Sequence, residues 1–449
     1  MKFLIKIFSP VCLGISFFLL IYTFYRSEII WSSNKDNYYF DYYVLSFLLF
    51  SFSIFTFFLK YKLKEYVVIF TISFVFSIYL FEFYLVKNSK DKNENLEKNL
   101  DQSEMLTKEK IYYESTGKKW DKRNKYTVFN DLKTINKNIK TEVSPFYHLY
   151  GSHPIFPLSG ISNSETLYCN ENGYYSIYNS DKYGFNNPNE EWDNKEILFM
   201  LVGDSFTQGA CVNRPNDIGS VLRNLSNKSV LNLGYGGNGP LIQYATLREY
   251  LSSNVKKVLW IYYEGNDLKN LKRELKDEKL INYLNDLSFS QNLKTRQNEI
   301  DTIANKTIKI ELERKKKVEK NFKTKLIEFL KLRKTRNLIY SLGQIKENPF
   351  LEFKKILILS NNLAIKNNSK FYFVYLPEYK RYKTNYDNTH YNLIKKTVDE
   401  LNIPFVDIHE QLFLRIENPL SLFPFELGGH YNIYGYKKVS ETIYKSTKN

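Results

Sequence analysis

Only three cysteines occur among 449 residues, which excludes a disulfide-framework protein and a structural zinc module built on paired Cys motifs. Histidine is also sparse, at five, and His148, His153 and His390 have no partners at metal-ligand spacing, so neither a metal nor another cofactor is expected. Tryptophan supplies just four members of an aromatic share of 17%; the rest are 37 Tyr and 34 Phe, many of them near the start of the chain. No nucleic-acid-binding module is recognisable, so nucleic acid is not an expected partner. What is present is ordinary in bulk. With 43% hydrophobic and 25% charged residues, a wholly disordered chain, a collagen-like repeat and a chain that is mostly membrane are all ruled out. The length accommodates one to three folding units, and the formal net charge is +16.

No charged residue appears from Phe8 to Tyr25, from Tyr42 to Leu59 or from Tyr66 to Phe81. With flanking positions each run reaches roughly 20 residues, about the hydrocarbon thickness of a bilayer, and predicts three transmembrane helices within residues 1–87. A cleaved signal peptide is the competing reading of the first run, but no small-x-small site follows it and two further apolar runs do. Lys2 and Lys6 precede the first run, and Lys60, Lys62 and Lys64 crowd the turn between the second and third, so both flanks are expected to face the cytoplasm. The chain beyond Lys87 is then extracytoplasmic, on a multi-pass protein of the plasma (inner) membrane whose partner is the lipid bilayer. Glu82 reads as a carboxylate reaching the interface at the outer end of its helix.

Residues 88–143 read as a polar linker with a helix, and residues 144–192, with scattered Pro, Gly, Ser and Tyr, as a small lead-in module of β or irregular structure. After Trp192 short apolar runs alternate with helical stretches: Ile197 to Val202, Val230 to Leu233, Val258 to Tyr263, Phe371 to Leu376 and Phe405 to Ile408. Runs without polar alternation read as strands buried on both faces. Their alternation with helices predicts an α/β domain over residues 193–449 with a parallel sheet covered on each side. In such sheets ligands bind beyond the carboxyl ends of the strands.

Three strand ends carry polar, glycine-bearing turns: Gly203-Asp204-Ser205 after the first, Gly234 to Gly239 after the second, and Glu264-Gly265-Asn266-Asp267 after the third. They deliver a hydroxyl, free backbone amides and a side-chain amide to one edge, the set that a nucleophile and an oxyanion hole need. His430, in GGHYNIYGY just before a final helix, supplies a general base. His409, two residues after Asp407, competes for that role but reads better as a satisfied surface histidine.

In order and spacing these blocks resemble the SGNH or GDSL hydrolase superfamily over roughly residues 196–447. The resemblance implies a three-layer α/β/α fold with a flavodoxin-like sheet. It implies Ser205 as nucleophile and amide donor, Gly237 as second amide donor, Asn266 as side-chain donor and His430 as base, with Gly203, Asp204, Gly265 and Asp267 shaping the turns. One departure stands out. Three residues before the histidine the family has an aspartate, and here stands Leu427. The carboxylate that would orient the imidazole is either displaced to Glu426 or replaced by a backbone carbonyl.

Cys169 and Cys211 both lie in the exported part and form a candidate disulfide, while Cys12 reads as a core residue of the first span. A basic helical insertion is expected over about residues 290–345: Lys306 to Arg336 carries a surplus of +9, with Val318, Phe322, Leu326 and Leu330 at helical spacing. It reads as a solvated helix face over the domain, or more sharply as a cap attracting an anionic glycan or the lipid surface. The function expected is that of a membrane-anchored serine esterase or O-acyltransferase acting on acyl groups of extracytoplasmic carbohydrate, with a membrane partner donating the acyl group if transfer is the reaction. The alternative is a catalytically silent SGNH-like domain that binds glycan or scaffolds an envelope assembly.

Overall fold

The apolar runs beyond Trp192 form a five-stranded sheet in this computed structural model, which describes residues 1–30, 36–91, 93–149, 151, 153–316, 322–343 and 348–448. Two compact units are present, Met1–Glu97 with Lys320–Ile345, and Lys98–Glu319 with Lys346–Asn449.

In the larger unit a small sheet comes first. Its strands β1 (Ile139–Thr141) and β2 (Glu165–Leu167) pair in parallel, and β3 (Ile177–Asn179) pairs antiparallel with β2. The main sheet follows, with β4 (Ile197–Gly203), β5 (Ser229–Asn232), β6 (Val255–Tyr263), β7 (Lys370–Leu376) and β8 (Phe405–Asp407), all parallel in the order β5-β4-β6-β7-β8. Successive side chains of a strand serve opposite faces. Met200 and Val202 join Trp260, Phe373 and the helices Pro240–Tyr250 and Phe350–Lys366 on one side. Phe199 and Leu201 join Ile261, Val374 and the helices Ile218–Ser226 and Ile433–Thr447 on the other. Two buried clusters, one per face, make the three-layer α/β/α architecture. The chain reverses direction across the sheet between β4 and β6, and a crevice opens at such a switch point.

In the smaller unit the expectation of three spans is corrected. Two helical stretches are long and apolar enough to cross a bilayer, Lys2–Ile29 and Tyr61–Asn88, whereas the apolar helix Tyr39–Phe55 is shorter. The reason is local: the middle helix ends at Phe55, and Thr56 to Leu59 leave it in a turn closed by Phe57 N–H to Ile54 O and Phe58 N–H to Phe55 O. Hydroxyls tie this helix to the first, with Ser16 Oγ 3.1 Å from Ser53 Oγ and Thr56 Oγ1 donating to Ser9 Oγ at 2.9 Å. Glu82 does not reach water; it is 1% exposed and bonded to the basic insertion.

That insertion is several helices rather than one: Gln297–Lys316, Phe322–Leu330 and Arg333–Gly343. Val318 lies outside the described residues.

Candidate active site

β4 runs into a one-turn helix, Ser205–Gln208, whose N-cap is Asp204. The buried Asp204 carboxylate accepts the Phe206 N–H at 2.9 Å, which fixes the turn and leaves Ser205 at the first helical position. Gly203 permits this turn because a Cβ there would stand 2.0 Å from Thr207 Oγ1 and 2.7 Å from Ile261 O. Burial is the main influence on Asp204 and pushes its carboxyl up to about 6. Asp267 is raised well above the carboxylate range by burial and then by the neighbouring Asp204 charge.

The loop after β5 is drawn against this turn by Gly236 N–H to Gln208 Oε1 at 2.7 Å and Tyr235 N–H to Gly203 O at 3.2 Å. Gly237 has φ of 79°, which an L side chain adopts at a cost, and a Cβ there would meet Ser144 Oγ at 2.7 Å. Its carbonyl accepts from Asn270 Nδ2 at 3.2 Å, so the peptide orientation is held. Among the described residues, neither the Ser205 nor the Gly237 N–H donates to a protein acceptor.

After β6, Asn266 stands at the N-cap position of the helix Asp267–Glu274 without a side-chain cap hydrogen bond, and its amide partly offsets the burial that raises the Asp204 carboxyl. Glu264 in the same turn is buried and held in a bidentate pair with Arg381, whose Nε donates to Oε2 at 2.9 Å. Arg381 lies over the rings of Tyr386 and Tyr391. A cleft of about 290 Å³ opens beside Asn266, with Lys269, Lys272, Asn348 and His390 in its walls.

His430 closes the site. Its Nε2 lies 2.8 Å from Ser205 Oγ, and its ring packs at 4.6 Å from that of Phe206. Its Nδ1 lies 3.0 Å from Glu171 Oε1, and its main-chain N–H donates to Glu171 Oε2 at 2.6 Å. An ionised carboxylate only accepts, so Nδ1 carries the proton and Nε2 is free to accept from the serine. Burial works against a charged ring, but the charge and hydrogen bond of Glu171, with Asp204 behind it, outweigh burial and raise the His430 pKa above its ordinary value. For Glu171 burial pushes the other way, and His430 and Lys108 overcome it to lower the carboxyl.

Both sequence expectations for the missing aspartate are thereby corrected. Glu426 is exposed and accepts from Asn418 Nδ2 at 2.9 Å; no backbone carbonyl orients the ring either, because Glu171 does. The Gly428-Gly429 turn does not fold Glu426 back. It makes room for Glu171, whose Oε2 would lie 2.7 Å from a Cβ at position 429. His409 pairs with Tyr382 Oη through Nδ1 at 2.7 Å, as a satisfied side chain does.

Glu171 was missed because it lies in the lead-in module, outside every motif block. Its one sequence signal was Cys169 two residues earlier. Cys169 and Cys211 form a disulfide with a Cα–Cα distance of 4.9 Å, and Asn172 Nδ2 donates to Cys211 O at 2.9 Å. The loop carrying Glu171 is thus fastened to the segment that follows the serine turn. Glu171, Cys211 and His430 bring three ligand atoms within 4.8 Å of one another, but the sulfur is committed to the disulfide and the other two bond to each other.

The all-parallel sheet places Ser205 after its first strand, Asn266 after its third and His430 before the last helix, in the order expected of the sequence blocks. Neither a family model nor a curated protein matches the chain. Among solved structures it is similar to a lipolytic protein of the G-D-S-L family from Desulfitobacterium hafniense DCB-2, at 16% identity and a TM-score of 0.31, over 56% of this chain and 99% of that one. It is also similar to the acetyl xylan esterase AlAXEase, at 16% identity and a TM-score of 0.33, over 56% of this chain and all of that one. A Bacillus subtilis protein follows at 11% identity and a TM-score of 0.32, over 56% of each chain.

Proposed function

We propose that the protein is a membrane-anchored serine esterase or O-acyltransferase that acts on acyl groups of extracytoplasmic carbohydrate. The observation that carries the chemistry is the continuous relay from Ser205 Oγ through His430 to Glu171. In the first half-reaction Ser205 Oγ attacks the ester carbonyl while His430 Nε2 takes its proton, and Glu171 stabilises the imidazolium that forms. The carbonyl oxygen, now an oxyanion, accepts from the N–H groups of Ser205 and Gly237 and from Asn266 Nδ2. Collapse breaks the ester C–O bond, and His430 returns the proton to the leaving alcohol. Water then resolves the acyl-enzyme in hydrolysis, or a sugar hydroxyl does so in transfer, with a membrane partner supplying the acyl donor in the second case.

The carbohydrate half of the reading rests on the family resemblance and on the outward address expected from Lys60, Lys62 and Lys64. Anchoring is supported by the apolar stretches Lys2–Ile29 and Tyr61–Asn88. The silent-domain alternative drew on Leu427 standing for an aspartate, and a carboxylate from elsewhere in the chain removes that support. Two measurements test the proposal. Hydrolysis of a simple aryl acetate by the purified full chain should vanish in Ser205→Ala. A reporter enzyme fused after Lys119 should be active outside the cytoplasm only; unchanged hydrolysis or a cytoplasmic signal would overturn the corresponding half.

A further inference from the structure

The helices Phe322–Leu330 and Arg333–Gly343 take no part in this chemistry. Within the smaller unit they dock at one end of the apolar helices. The buried carboxylate of Glu82 accepts from the N–H groups of Lys334 at 2.9 Å and Thr335 at 2.7 Å, and from Thr335 Oγ1 at 2.7 Å. It therefore satisfies the first-turn donors of the second helix and complements the positive end of its dipole. Tyr79 Oη donates to Leu330 O at 3.0 Å, and its ring lies 5.6 Å from that of Phe329. Arg336 donates to Tyr42 Oη at 2.9 Å with its guanidinium over the same ring.

These contacts set a level. At 1.5 Å per residue, Glu82 lies about 27 Å along its helix from Lys64, close to the thickness of a hydrocarbon core. The helical pair thus sits where the head groups of the leaflet opposite the Lys60–Lys64 turn would be. Its composition suits that layer. Residues 322–343 hold six basic residues and one acidic, Glu328, which pairs with Arg333. Lys331, Arg333, Lys334 and Arg336 are exposed, and so are Leu326, Ile327, Leu330, Leu338 and Ile339, the last at 63%. Exposed apolar side chains interleaved with cations fit the boundary between acyl chains and anionic head groups.

We infer that this helical pair is an interfacial element that binds anionic phospholipid head groups in that leaflet, an inference that rests on the membrane-anchored reading above. The test uses the full chain with Cys12→Ser and Ile339→Cys, labelled at that cysteine with an environment-sensitive fluorophore. It is reconstituted into phosphatidylcholine vesicles with or without phosphatidylglycerol. Quenching by nitroxide-bearing lipid should rise at least about twofold with phosphatidylglycerol, and salt should suppress the rise. Lys331→Gln with Arg333→Gln, Lys334→Gln and Arg336→Gln should abolish it. Should that variant fail to fold, Lys331→Gln with Lys334→Gln, whose side chains touch neither Glu82 nor Tyr42, should halve it. Quenching indifferent to lipid charge, in a chain that still resists carbonate extraction, would overturn the inference and spare the anchor. Displacement of the label from the vesicles by an anionic polysaccharide would overturn it in favour of a glycan. A chain released by carbonate would overturn the anchor and this inference together.

Discussion

Glu171 holds His430 twice, through the ring Nδ1 at 3.0 Å and through the main-chain N–H at 2.6 Å, although 259 positions separate them. One carboxylate thus sets both the tautomer of the imidazole and the path of the backbone that bears it. The lead-in module is part of the site, not an appendage to it.

Glu171→Gln is expected to lower kcat/KM for an aryl acetate by roughly three to four orders of magnitude, because an amide in that place no longer enforces the productive tautomer. Glu426→Gln, which disturbs only a contact with Asn418, should leave the rate within about twofold. Parallel kinetics of the two variants decide which carboxylate supports the base.

The pH profile follows from the raised His430 pKa. Only the neutral ring accepts the Ser205 proton, so kcat/KM should fall on acidification with its acid limb above 6.5, the ordinary imidazole value. Stability runs the other way. A ring whose pKa rises on folding contributes fully below 6.5, and that contribution is lost as pH climbs through the raised value. In Glu171→Gln burial is the largest remaining influence, so the residual activity should show its acid limb shifted to lower pH.

Loss of the Cys169–Cys211 bridge should cost stability and activity together. Closing a loop of 42 residues is worth roughly 4 kcal/mol in chain-entropy terms, so Cys211→Ser should lower the unfolding midpoint measurably. The freed loop should also hold Glu171 less firmly, lowering kcat more than it raises KM. A stability loss with unchanged kcat would show that Glu171 keeps its place without the bridge.

Asn266→Ala should remove about 2.7 to 4 kcal/mol of transition-state stabilisation if its Nδ2 serves the oxyanion. A rate loss of tenfold or less would remove Asn266 from the oxyanion hole.

Much of this was legible in the sequence because buried parallel strands must be apolar on both faces. The runs at Ile197, Val230, Val258, Phe371 and Phe405 could hardly be anything else, and the turns ending them exposed Ser205, Gly237 and Asn266 as candidates. Glu171 was illegible for the opposite reason. It acts through tertiary placement by a disulfide and a glycine turn, and nothing in a short window of sequence marks a carboxylate that will meet a histidine from the far end of the chain. The middle apolar run misled because hydropathy sees composition and not the turn at Thr56 that ends its helix. Glu82 misled likewise, since its partners, the amides of Lys334 and Thr335, come from an insertion far along the chain.

Labelling of the whole chain with a fluorophosphonate probe, read by intact mass and peptide mapping, tests the Ser205–His430–Glu171 relay directly. One adduct is expected, on Ser205, that disappears in Ser205→Ala and forms far more slowly in His430→Ala and Glu171→Gln. An unlabelled wild-type chain, or an adduct that persists in Ser205→Ala, would contradict it.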